Sequence, residues 1–241
     1  MVFWWRKGKG YNMLKYNLKN HLFGINKDIN WDTIRQNNLK WWSTVGIHDP
    51  KEKPETKKKN YDVFLDDLIS TTNIDIFNSH DKKIGEICCG PYGGILECYG
   101  VECNQKYFID IFMEDFKQMN FVQWSKNSNF VSAPSEHIHL SDNTLDILLG
   151  YNSIDHGWDW EKSLDECLRI SKSIFLMFDT KNEVDGDLHP QKISHEDVLK
   201  YAEKNNWHAK FKHVTIKKRY KDYGYYENCF EWPETWIYII K

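Results

Sequence analysis

No apolar run in this chain approaches the ~20 residues that a membrane-spanning helix needs. The opening residues, Met1-Val2-Phe3-Trp4-Trp5-Arg6-Lys7, hold no apolar stretch of signal-peptide length. A cytoplasmic protein with no membrane span is therefore expected. Charge of one sign is lacking too: 32 Lys and Arg stand against 35 Asp and Glu, a formal net charge of −3. Bulk attraction to a polyanion is absent, and nucleic acid is not expected as a partner. The 6 cysteines (Cys88, Cys89, Cys98, Cys103, Cys167 and Cys229) include no CxxC pair and no secreted-framework spacing. Adjacent Cys88 and Cys89 on an extended segment would face opposite ways, so reduced thiols are expected and no metal site. No internal repeat or low-complexity tract appears. What the chain does have is aromatic mass. Its 11 Trp and 13 Tyr exceed the needs of a minimal core, and some are expected to line a cleft.

Length and patterning point to one sizeable core. The 241 residues suffice for a single domain with an added cap. A loop rich in charge, with Pro50 and Pro54, precedes a helical stripe of Tyr61, Phe64, Leu65, Leu68 and Ile69. Strands are then predicted over 83–88, 106–111, 130–132, 145–151 and 173–178. Helices are predicted between them over 95–101, 112–120 and 159–171. Apolar strands separated by amphipathic helices make a parallel sheet covered on both faces. A capping-box pattern at Ser194 and Asp197 starts a helix reaching about Trp207, and two late strands follow over 210–217 and 235–240.

The densest local signal is Glu86-Ile87-Cys88-Cys89-Gly90-Pro91-Tyr92-Gly93-Gly94. An acid near a strand end, followed by a Gly-rich turn into a helix, brings backbone N–H groups close to a ligand. A dinucleotide fingerprint would place Gly at 88, 90 and 93, and Cys88 breaks it. Asp110 follows at the end of the second strand, where a carboxylate can accept from both ribose hydroxyls of an adenosine. A nicotinamide-dependent oxidoreductase would use the same turn and the same acid.

The order Glu86 to Gly93, then Asp110, then Ser135-Glu136 and Asp142-Asn143-Thr144-Leu145-Asp146 resembles the class I S-adenosylmethionine-dependent methyltransferases. The similarity spans about residues 82 to 180. Tyr151-Asn152-Ser153-Ile154-Asp155-His156, with Asp179 and His189-Pro190, is similar to segments of methyltransferases from capsule and lipopolysaccharide gene clusters. The resemblance implies an α/β, Rossmann-like, doubly wound sheet of seven strands with the last antiparallel. It also implies a mostly helical lid over 1–80 and a methyltransferase domain over 81–241.

The cofactor implied is S-adenosylmethionine, held by Glu86, Cys88, Gly90, Pro91, Asp110, Ile111, Ser135, Glu136 and Asn152. The implied acceptor is a small polar molecule, a sugar or sugar phosphate of a surface polysaccharide, methylated on oxygen or, second, on nitrogen. A hydroxyl nucleophile needs a base. His156, just past the fourth strand, is the first candidate, with Asp155 to orient it and His189 as the second. Asp155, Asp179 and His189 form an oxygen-rich set that magnesium would accept, although their spacing does not demand it. The aromatic loop over 220–232 offers contact to a substrate or to a second copy in a homodimer. An oxidoreductase and a non-catalytic binding protein of the same fold stand as alternatives, the latter on account of Cys88 in a glycine position.

Overall fold

The computed structural model describes Gln36, Leu39, Lys40, Trp42 and residues 54–119, 121–180, 191–215 and 233–240. Five strands run parallel: β1 (Lys83–Ile87), β2 (Gln105–Asp110), β3 (Ser128–Ser132), β4 (Ile147–Tyr151) and β5 (Ser173–Asp179). Two more, β6 (Ala209–Thr215) and β7 (Pro233–Ile240), extend the sheet to the order β3-β2-β1-β4-β5-β7-β6. Within it β7 is antiparallel to both β5 and β6.

The central strands sit inside because their apolar side chains pack away from water. Ile84, Phe108, Leu148, Leu149, Ile174 and Leu176 are all fully buried. Removing each large side chain from water contributes roughly 1.5–3 kcal/mol. Helices α1 (Pro54–Thr72), α2 (Gly94–Cys98) and α3 (Met113–Met119) cover one face, with Phe64, Leu68, Leu96 and Phe116 packed against Phe108 and Phe175. Helices α4 (Trp160–Ile170) and α5 (His195–Lys204) cover the other, with Leu164, Ile170 and Val198 against Leu148 and Leu176.

Tyr61, Phe64, Leu65 and Leu68 of α1 are buried as a stripe, but Ile69 is 41% exposed. One residue further is about 100° around a helix, which carries Ile69 off the covered edge. Helix α2 ends at Cys98, three residues after Ile95 and earlier than its apolar pattern suggests, because Gly100 turns left-handed at φ 57°. Gly100 N–H then donates to Glu97 O at 3.1 Å and Val101 N–H to Leu96 O at 3.0 Å, a Schellman stop. Helix α4 opens on Asp159, whose carboxylate accepts from Lys162 N–H at 3.1 Å. Helix α5 opens on Ser194, whose Oγ accepts from Asp197 N–H at 3.1 Å and donates back to Asp197 Oδ2 at 2.6 Å.

From β1 the chain winds outward through β2 to β3, then returns to β4 on the other side of β1. That reversal opens a crevice beyond the C-terminal ends of β1 and β4, the place where doubly wound sheets bind ligands.

Candidate active site

The Gly-rich turn is built from β1 outward. Glu86 is 1% exposed, and its two oxygens accept from Ile95 N–H at 2.8 Å and Leu96 N–H at 3.1 Å. The acid therefore caps α2 and shapes the turn from beneath. Its neighbour across the turn has to be glycine: a Cβ on Gly94, at φ 53°, would lie 2.0 Å from Glu86 Oε1. Cys88 leaves the strand at φ 55° while its N–H still donates to Ile109 O at 2.7 Å. A non-glycine residue thus occupies a left-handed backbone position at the mouth of the crevice. Burial, then the Asp110 carboxylate, push the Cys88 thiol well above its ordinary pKa, so it stays neutral.

Gly90, at φ 64°, donates its N–H to Asp110 Oδ2 at 3.2 Å, and Phe112 N–H donates to Oδ1 at 3.0 Å. The acid at the end of β2 thus ties the turn after β1 to the turn after β2. Burial pushes its pKa up to about 6, against the lowering effect of the two N–H donors. Pro91 is buried beside Gly90, and Ile111 is partly exposed beside Asp110. A Cβ on Gly90 would find nothing closer than the Trp42 ring, at 3.8 and 3.9 Å. This open cradle beside an acceptor carboxylate fits a group such as the ribose and methionine portion of S-adenosylmethionine.

Ser135 and Glu136 come near the crevice, but their side chains turn to the loop after β4. Ser135 Oγ lies 2.8 Å from Ser163 Oγ. Glu136 Oε1 accepts from Trp158 N–H and, at 3.1 Å, from Asp159 N–H. Burial raises the pKa of Glu136, and these donors work against the rise. Gly157 permits the arrangement, since a Cβ there would be 2.7 Å from Glu136 Oε1. Ser135-Glu136 consequently braces the 157–159 turn.

Beyond β4, Asn152 stands at φ 51° and the short 3-10 turn Ile154–His156 follows. Asn152 Nδ2 is 3.0 Å from His156 Nε2, and Asp155 Oδ2 is 3.9 Å from the same nitrogen. Asp155 is 2% exposed, and the His156 side chain 34%. The structure therefore joins Asn152, Asp155 and His156 in one group at the β4 edge. It joins Cys88, Gly90 and Asp110 in another at the edges of β1 and β2. His189 and the aromatic loop over 220–232 lie outside the described residues, as does the Asp179 side chain. No helix among the described residues is long and apolar enough to cross a membrane.

No protein-family model matches the sequence, and no curated protein matches it. Solved structures do match. A Bacillus halodurans protein assigned as a methyltransferase aligns at TM-score 0.51 and 12% identity, over 73% of this chain and 98% of that one. The Haemonchus contortus phosphoethanolamine N-methyltransferase 2, in complex with phosphomonomethylethanolamine and S-adenosylhomocysteine, aligns at TM-score 0.53 and 9% identity, over 82% of this chain and 60% of that one. The fold is that of the class I methyltransferases. The same fold appears in the [4+2]-cyclase SpnF, at TM-score 0.54 and 14% identity over 74% of this chain and 80% of that one. Chemistry therefore has to be argued from this chain's own residues.

Two features escaped the sequence, one over the Gly-rich turn and one at the far end of β2. Trp42 packs over the Gly-rich turn, edge-on to Tyr92 and to Phe116 with ring centroids 6.1 Å apart in each pair. Its contact partners are some fifty and more residues away, and no periodicity connects them. Lys106 is 2% exposed inside β2. Its Nζ donates to Ser125 Oγ at 2.9 Å and Leu96 O at 3.3 Å and pairs with Glu97 Oε2 at 3.4 Å. Glu97 also accepts from Ser125 N–H at 3.0 Å and Ser128 Oγ at 3.0 Å. A lysine at a strand start reads as solvated, and only the fold brings its partners together.

Proposed function

We propose that this protein transfers a methyl group from S-adenosylmethionine to an oxygen, or secondarily a nitrogen, of a small polar acceptor. The observation that carries the reading is the pair of groups at one sheet edge: the Gly90–Asp110 cradle beyond β1 and β2, and the Asn152–Asp155–His156 group beyond β4. Asp110 would accept from the ribose hydroxyls, and Gly90, Pro91, Cys88 and Ile111 would line the cofactor. Glu86, Ser135 and Glu136 would act on it through the turns they brace. Bound there, the sulfonium supplies an already activated methyl group.

His156 then takes the proton of the acceptor hydroxyl as the oxygen is committed to the new bond. Asp155 lies buried beside the ring, its Oδ2 3.9 Å from Nε2. The N-terminal segment forms a lid, a reading supported by Trp42 against Gly90. A sugar or sugar phosphate of a surface polysaccharide is the acceptor class we favour, on the resemblance of 151–156 to capsule-cluster methyltransferases. The left-handed Cys88 favours a second reading, a cofactor-binding protein without turnover.

The test is release of S-adenosylhomocysteine from S-adenosylmethionine in the presence of a panel of nucleotide sugars and sugar phosphates. Turnover with at least one hydroxyl acceptor, falling about a hundredfold or more in His156→Ala, is expected. Cofactor binding with no turnover on any acceptor would leave the second reading.

A further inference from the structure

Beside the Gly-rich turn, α1, α2 and the residues after α3 partly enclose a cavity of about 130 Å³. Its wall includes Tyr61 of α1, Tyr92 of the turn, Glu97 and Cys98 of α2, and Phe121 and Val122. Three aromatic rings therefore meet at one small space. Tyr92 and Phe121 stack, with centroids 5.4 Å apart and 21° between their planes. Tyr61 is 5% exposed and stands edge-on to Tyr151, at the end of β4, with centroids 5.2 Å apart.

The acid on the wall is already neutralised. Glu97 Oε2 accepts from Ser125 Oγ at 2.7 Å and Lys106 Nζ at 3.4 Å, and Oε1 accepts from Ser125 N–H and Ser128 Oγ, each at 3.0 Å. With both oxygens doubly engaged, Glu97 does not call for a cation from the cavity. Size narrows the occupant further. An apolar cavity of about 150 Å³ admits benzene, and this one is of that order. A sugar ring would press hydroxyls against aromatic faces and a valine, where they fall short of hydrogen-bond partners.

We propose that this cavity binds one uncharged aromatic ring of a small molecule, a phenyl or phenol group, at a site separate from the Gly90–Asp110 cradle. Aromatic rings favour offset-stacked or edge-to-face contacts with centroids roughly 4.5–7 Å apart, and a ring here has Tyr61, Tyr92 and Phe121 as partners. Its apolar surface leaves water as it enters. The site adjoins the donor cradle through Tyr92, which also meets Trp42 over Gly90. It goes beyond the methyl-transfer reading and does not depend on it, since neither donor nor acceptor is needed to fill it.

The experiment is saturation-transfer difference NMR on the full chain, with phenol as the probe and methyl β-glucopyranoside as the sugar control. Phenol is expected to bind saturably with a Kd of about 1–5 mM, and the glucoside to show no saturable transfer over the same range. Val122 is half-buried on the wall, and Val122→Trp, which fills the cavity, is expected to weaken phenol at least about tenfold. Phe121→Ala removes one ring of the stack and is expected to weaken it about threefold to tenfold. Each variant is first checked for a cooperative urea transition, and either one locates the site if the other fails to fold.

No saturable phenol binding in the wild type overturns the proposal. So does unchanged phenol affinity in the folded variants, which would put the probe elsewhere. Glucoside binding as tightly as phenol would make the cavity a sugar site and overturn the ligand class. Displacement of phenol by S-adenosylhomocysteine would make the cavity part of the cofactor site and overturn its separateness. If the wild type takes phenol but not S-adenosylhomocysteine, the methyl-transfer reading falls and this site stands.

Discussion

Cys88 holds a backbone conformation that a side chain resists. A left-handed L-residue costs roughly 1–2 kcal/mol, whereas glycine's extra unfolded-state entropy costs about 0.5–1. Relief of strain should win at φ 55°. Cys88→Gly is expected to raise stability by about 0.5–1 kcal/mol, read as a higher urea midpoint at unchanged slope. The backbone there would also be freer to approach a ligand, so affinity for S-adenosylhomocysteine should not fall.

Asp110 gives a pH dependence with a definite sign. Its pKa is raised from 3.8 to about 6, so its contribution favours the fold below pH 4 and is lost as pH rises through 6. Relative to Asp110→Asn, the ligand-free wild type should therefore lose stability between pH 4 and 7 in denaturant titrations. Ligand binding should run the other way. Ribose hydroxyls donate to the ionised carboxylate, so affinity for S-adenosylhomocysteine is expected to rise with pH and level off above about 6.

Helix α2, at 5 residues, is too short to persist on its own. It is clamped from both sides, by Glu86 at its first N–H groups and by the Lys106–Glu97–Ser125 network near its last carbonyls. Gly94→Ala would drive a Cβ into the Glu86 carboxylate and is expected to destabilise the fold by about 3 kcal/mol or more, measured by chemical denaturation. Lys106→Met leaves Glu97 buried without its cation and is expected to cost about 3–5 kcal/mol. Adding Glu97→Gln should recover part of that loss.

These elements show what a sequence reveals and what it hides. Gly90, Gly93 and Gly94 announce a turn, because few other residues accept their backbone angles, whereas Gly100, which lay inside the predicted helix, is where the chain leaves it. Asp159 and Ser194 announce helix starts for the same kind of local reason. Lys106, Trp42, and the turn of Ser135-Glu136 toward Trp158 and Asp159 depend on partners far along the chain, which local pattern does not encode.

At the scale of the whole molecule, β4 and β5 were legible as continuous apolar runs, and β1, β2 and β3 as shorter apolar segments bounded by polar and turn residues. Their order was not. Nothing local states that β4 returns beside β1, yet that reversal makes the crevice and brings Asp110 and His156 to one edge. The acceptor is illegible for a related reason, since its pocket would be shaped by residues whose packing no periodicity fixes.

The central claim is that this edge holds S-adenosylmethionine through Gly90 and Asp110. Calorimetric titration of the full chain with S-adenosylhomocysteine at pH 7.5 tests it most directly. Binding tighter than ~1 mM is predicted, weakened about tenfold to a hundredfold in Asp110→Ala by loss of hydrogen bonds to a charged acceptor. No heat of binding at ~1 mM, or equal affinity in wild type and Asp110→Ala, would contradict it.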